Sequence, residues 1–223
     1  SSLALRQTKG KALLISGEPA KAQELFARNA DEASDDVRLH AAARLNEGVA
    51  AYKRGDRERA IECWNATLPE SRPLHAHAQA NLGSVYAESG DFELALSHLS
   101  QALAAFSRFG SVREVAMAAN NLSRLHHTLG DLSRATELSE HALRLSQRLS
   151  DGYVEASSHL NLGAIELDRR EYLAAKRELD VARTGFEKLG NDAWAALAGA
   201  LKARAHLGSG ERAQAEQELG RRC

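Results

Sequence analysis

Cysteine, proline and aromatic residues are all scarce in this chain, and each scarcity closes a class of folds. Only two cysteines occur in 223 residues, Cys63 and Cys223, far apart and with no partner motif. A disulfide framework and a cysteine zinc site are therefore excluded, and the expected compartment is the cytoplasm. Three prolines leave long stretches in which helices can run without a break. Aromatics make up 5% of the chain, whereas alanine, leucine, glutamate and arginine dominate it, a balance that favours helix. Charge of one sign is also lacking: 29 basic and 30 acidic residues leave a formal net charge of -1. Such a chain has no field to draw in nucleic acid or an anionic membrane, and neither is expected as a partner. No apolar run approaches the ~18 residues of a membrane helix, and no charged-then-apolar leader opens the chain. The glycines form no phosphate loop or nucleophile elbow, so no catalysis, cofactor or metal is expected. The chain begins at Ser1-Ser2 without methionine and runs to Cys223, and it is expected to be a piece of a longer protein.

What the sequence does contain is repetition. Asn81-Leu82-Gly83, Asn121-Leu122-Ser123 and Asn161-Leu162-Gly163 follow one another at 40-residue intervals. Twelve residues beyond each small residue stands Ala95, Ala135 or Ala175, introduced by Gly90-Asp91, Gly130-Asp131 or Arg170-Glu171. Toward the N-terminus the pattern continues through Asn46-Glu47-Gly48 with Ala60, then Gly10 with Ala22; toward the C-terminus it continues through Ala203 with Ala215. Six units result, at roughly 3–34, 37–70, 74–110, 113–150, 153–190 and 193–223. Apolar residues at three- and four-residue spacing make each unit two helices around a turn. A lone hairpin cannot bury its apolar face, so the units must stack as one all-α array. Small residues let paired helices approach closely, and Phe26, Trp64, Leu99, Leu179 and Leu219 are the expected knobs of the layers, with Ser139 the exception. Pro69 and Pro73 lie in a shortened linker, the expected place for an irregular joint.

Leu82-Gly83-x-x-Tyr86, followed by Ala95-x-x-x-Leu99 and Ala102, resembles the tetratricopeptide repeat (TPR) pattern. The 40-residue period is similar to that of kinesin light chains, Pins/LGN-type adaptors, bacterial Rap-type sensors and maltose-regulator-like activators. The resemblance implies a right-handed superhelical solenoid. Its concave groove, lined by the first helix of each hairpin, would hold a peptide segment of a partner protein.

Asparagine recurs on that first helix as Asn46, Asn81, Asn121 and Asn161, with Thr8 and Leu201 at the outer units. Asparagine inside a helix costs up to about 0.7 kcal/mol relative to alanine. Two explanations stand: the amides form a ladder for a peptide backbone, or they bond to each other and brace the stack. Asn120, Ser84, Arg124, His127, Arg204 and Lys53 complete the candidate face, and Arg124 is suited to hold a ligand carboxylate. In the register of Tyr86, the chain reads His126, Glu166 and His206, taken as packing or partly exposed pairs and not as a metal site. The leading expectation is a protein-protein interaction scaffold. Two alternatives remain: a bacterial sensor segment that binds a peptide or small molecule, and a module that self-associates through its uncapped C-terminal repeat.

Overall fold

The computed structural model describes residues 3–33, 35–67 and 69–220. It divides into two compact units, Ser1–Gly110 and Ser111–Cys223. Among the described residues the first unit holds α1 (Leu3–Ile15), α2 (Pro19–Glu32), α3 (Val37–Lys53), α4 (Arg57–Asn65), a 3-10 turn (Pro69–Ser71), α5 (Arg72–Ser89) and α6 (Phe92–Phe109). The second holds α7 (Val112–Thr128), α8 (Leu132–Leu149), α9 (Gly152–Asp168), α10 (Tyr172–Lys188), α11 (Asp192–Gly208) and α12 (Arg212–Gly220). Each unit is thus three antiparallel hairpins, and within each unit the first helices also touch one another. Helices of 17 and 18 residues account for the lengthened repeat.

The turns within hairpins work as their sequences require. Gly90 ends α5 at φ 86, a left-handed conformation that costs glycine little. Asp131 starts α8 by accepting from the Arg134 amide at 3.1 Å. Arg170 makes the same turn without glycine, at φ 63.

Packing between paired helices rests on matched small and large positions. A Cβ on Gly83 would lie 2.5 Å from Leu99 Cγ, and one on Gly163 would lie 2.6 Å from Leu179 Cγ. The exception in the fourth hairpin is compensated: the buried Ser123 and Ser139 hydroxyls bond each other at 2.6 Å, and Ser123 also donates to the Ala135 carbonyl at 2.8 Å. A smaller knob leaves room for a larger residue opposite, and both polar atoms are satisfied.

The third residue class in this layer is the leucine of Asn-Leu-Gly. Leu82, Leu122 and Leu162 are buried there, but the second hairpin carries Glu47, only 1% exposed. Arg59 bonds one of its oxygens from Nε at 3.1 Å and Nη2 at 2.7 Å, and Arg44 Nη1 bonds the other at 2.9 Å. A buried carboxylate is tolerated because it is paired and hydrogen-bonded on both oxygens.

The shortened linker is irregular: α4 ends before Pro69, and the 3-10 turn then packs on both α3 and α5, inside the first unit. The two units are divided at Gly110–Ser111. One expectation changes. Leu219 is not a knob, for it is 61% exposed. Glu218 takes the buried place, drawn in by Arg183 at 2.7 Å and Lys202 at 2.9 Å, and Leu219, one residue on, turns to solvent. Cys223 lies outside the described residues.

Candidate functional site

The first helices of the first unit, α1, α3 and α5, carry Asn46, Asn81, Ser84 and Lys53. The Asn46 amide is committed internally, donating to the Ala42 carbonyl at 2.8 Å and to Gln7 Oε1 at 3.3 Å. Ser84 bonds back to the Ala80 carbonyl of its own helix at 3.0 Å. Lys53 is exposed, and Asn81 is half-buried; neither side chain has a partner among the described residues. At the end of α5, Glu88 is occupied by the Tyr52 hydroxyl at 2.7 Å and by Arg57 at 3.5 Å.

In the second unit, α7, α9 and α11 form the corresponding face. Asn120 is not on it. Its side chain is buried between helices, donating to the Val154 carbonyl at 3.2 Å and accepting from Ser158 Oγ at 3.1 Å. The physical reason is position: one residue before Asn121 is a step of about 100° around the helix, which points Asn120 into α9. Asn161 then donates to the Asn120 carbonyl at 3.1 Å, so this amide braces α9 against α7. Asn121 is half-buried and Arg124, one turn further, is exposed; neither has a side-chain partner among the described residues.

His127 and Arg204, expected to be open contacts, meet instead on Asp168. His127 Nε2 donates to one oxygen at 2.8 Å and Arg204 Nη2 to the other at 3.0 Å. One carboxylate at the end of α9 thereby clasps all three first helices. No repeated motif marks Asp168 in the sequence, where Thr128 and Gly208 hold its register in the neighbouring repeats. The available signal was charge complementarity at nearly equal repeat registers in three successive units.

The residues in the register of Tyr86 do not converge. His126 pairs with Asp131 at 3.2 Å, Glu166 with Arg169 at 3.1 Å, and His206 with Glu211 at 2.5 Å. Lys176 reaches Glu211 as well, at 2.8 Å, and the two bonds together hold its carboxyl down at about 2. No three histidine, cysteine or acidic side chains gather as metal ligands among the described residues. The Cys63 thiol is pushed up to about 12 by burial and by the neighbouring Glu47, which leaves it un-nucleophilic. In the first unit His98 and His75 are joined through the Gln79 amide, and His75 Nδ1 bonds the Thr67 carbonyl at 2.8 Å. Tyr86 stacks on His98 with ring centroids 5.4 Å apart. Burial, and then the nearby His75, hold His98 below the usual histidine range. These groups are mutually satisfied and present nothing to a ligand.

What remains open is therefore narrow. On α7 the Asn121 amide and the Arg124 guanidinium are available to a ligand, and on the same register Met117 and Leu197 expose apolar surface. This combination can hold a backbone amide, a carboxylate and an apolar side chain, and it carries no acid-base or nucleophilic pair. No described helix is long and apolar enough to cross a membrane.

Comparison with curated proteins gave no match. Among solved structures, the fold is similar to BtubC (BKLC) from P. vanneervenii at 19% identity and a TM-score of 0.73, over 99% of this chain and 89% of that one. A Podospora anserina protein of kinesin light chain type, with nearly identical TPR-like repeats, is 17% identical at a TM-score of 0.65, covering 84% and 96%. A Rap protein complexed with competence and sporulation factor is 14% identical at 0.70, covering 97% and 74%. At these identities the likeness is one of fold. Tetratricopeptide repeat models match residues 70–148 and 8–67. The chain belongs to the tetratricopeptide repeat family.

Proposed function

We propose that this protein is a non-catalytic interaction module that binds a peptide segment of a partner protein on the face of its first helices, with Asn121 and Arg124 as the central contacts. One observation carries the reading. In the second unit every other polar candidate on that face is tied to a neighbouring helix, whereas the Asn121 amide and the Arg124 guanidinium stay unpaired. An asparagine inside a helix is unfavourable unless something uses it, and no described residue uses this one. The amide suits a peptide backbone and the guanidinium a carboxylate, from an acidic side chain or a chain terminus. Family membership supports the coarse reading, since tetratricopeptide repeats commonly serve protein-protein interaction.

The test is an array of immobilised random peptides probed with wild type, Asn121→Ala, Arg124→Ala and Asn161→Ala. The first two substitutions are expected to preserve helicity and weaken binding, with Arg124→Ala acting selectively on peptides that bear a carboxylate. Asn161→Ala is expected to lower stability first. Binding that is untouched by Asn121→Ala and Arg124→Ala would overturn the assignment. A second reading, a sensory segment that restrains an effector, draws on the Rap structure solved with its bound factor. It predicts that ligand binding changes the activity of whatever domain accompanies this array.

A further inference from the structure

The second unit contains a cavity of about 460 Å3 between the N-terminal half of α9 and the C-terminal half of α10. Its α9 walls are Gly152, Glu155, Ala156 and His159. At about 100° per residue, these sit on the side of α9 opposite Asn161, so the cavity is separate from the peptide face. Its volume falls within the range of about 300–1,000 Å3 usual for small-ligand sites.

The cavity exists because small residues line its floor. One repeat earlier, the positions of Gly152 and Gly185 are held by Val112 and Leu145. Packing accounts for only one of these differences. A Cβ on Gly185 would lie 2.8 Å from Ala156 Cβ, so glycine is needed for α9 and α10 to close. A Cβ on Gly152 would meet nothing nearer than Leu189 Cδ2 at 4.0 Å, and Gly152 is in an ordinary helical conformation. Among the described residues nothing requires glycine there, and the exposed Gly152 leaves that edge of the space open.

The polar groups around the space divide in the same way. Asp180 is neutralised by Lys202 at 2.5 Å, and His159 is bonded to Glu178 at 2.7 Å. Glu155, half-buried on α9, and Lys188, exposed on α10, have no side-chain partner among the described residues and do not pair with each other. Between them Val181 and Leu189 expose 48% and 49% of their surface.

An anion and a cation that line one partly apolar space without pairing are complementary to a zwitterion with an apolar body. We propose that this cavity binds a free α-amino acid with a branched or aromatic side chain. Its ammonium group sits on Glu155 and its carboxylate on Lys188, and its side chain lies along Val181 and Leu189 above the Gly152–Ala156 floor. This does not depend on the peptide reading, because no residue is shared between the two faces.

The test is a 1H–15N correlation titration of the uniformly labelled protein with L-leucine and L-phenylalanine, each compared with its deaminated acid and its decarboxylated amine. Localised shifts are expected at residues 152–159 and 180–189. Loss of either charged contact should weaken binding about tenfold or more. Gly152→Val should narrow the cavity and weaken binding while leaving the remaining spectrum intact, and Arg124→Ala should change nothing. Should Gly152→Val disturb the fold, Glu155→Gln and Lys188→Gln serve in its place, each expected to weaken the amino acids down to the level of their one-charge analogues. Absence of localised shifts, an affinity unchanged in a folded Gly152→Val, or equal affinity for the amine or acid would overturn the proposal.

Discussion

Replacing Glu47 separates the contribution of a buried ion pair from that of simple packing. The residue occupies the layer position held by leucine in three later hairpins, and both of its oxygens are bonded to arginine. Breaking a buried pair by removing one partner costs about 3–5 kcal/mol. The lower end applies here, because Arg59 and Arg44 are partly exposed and can regain water once released. Glu47→Ala should therefore lose about 3 kcal/mol, or about 6–12 °C in Tm for a chain of this size. Glu47→Leu releases the same arginines but refills the layer, and burial of a leucine side chain returns about 1.5–3 kcal/mol, leaving a net loss near 1 kcal/mol. The assay is urea unfolding followed by tryptophan fluorescence in a Trp194→Phe background. Trp64 on α4 then reports the first unit, since its indole N–H is bonded to the Leu45 carbonyl of α3 at 3.2 Å. If the alanine and leucine variants both stay within about 0.5 kcal/mol of wild type, the pair contributes nothing and the reasoning fails.

Three other outcomes follow from the structure. Gly83→Ala should destabilise by about 1–3 kcal/mol, since the new methyl meets Leu99 Cγ at 2.5 Å and the Leu99 amide nitrogen at 3.0 Å; thermal unfolding reads this directly. Glu211, held at about 2 when folded against an ordinary value of 4.5, contributes stability that is complete above that ordinary value and drains away as pH falls toward 2. The Tm difference between wild type and Glu211→Gln should accordingly be largest near neutral pH and shrink through that window; a constant difference would mean that the carboxylate is not what matters. Asn29 is buried, and both its Nδ2 and Oδ1 lack partners among the described residues, so Asn29→Leu should stabilise by about 1 kcal/mol in denaturant titration. A loss of stability would indicate that an ordered water satisfies the amide.

The hairpins, their turns and their contact positions were legible because they follow from local spacing. A glycine twelve residues before an alanine, with a knob four residues later, needs only helical geometry to be read. Ser123 and Ser139 looked like separate departures and became a single compensated pair once the layer was assembled. Other features depend on partners that no local pattern displays. Asn120 is buried because a carbonyl 34 residues away, on Val154, accepts its proton. Leu219 is exposed because cations on α10 and α11 draw Glu218 inward. The cavity beside α9 is bordered by Gly152, which packing does not require, and its charges stand out only after His159 and Asp180 are seen to be occupied.

The four register asparagines show how far identical residues at identical positions can differ in role. Asn161 uses its amide hydrogen to hold α9 to α7, and Asn46 donates to its own helix and to α1. Among the described residues Asn81 and Asn121 keep the whole amide free, one in each unit. On the proposed reading, a peptide that meets such an amide gains little sequence discrimination from it, because backbone groups are the same in every peptide. Discrimination would then come from the next turn of the same helix. In the first unit that turn is Ser84, whose hydroxyl is bonded to its own backbone. In the second it is Arg124, which no carboxylate among the described residues neutralises. Reversing its charge with Arg124→Glu should exchange a preference for acidic peptides for one favouring basic peptides, whereas Asn121→Ala should weaken both alike.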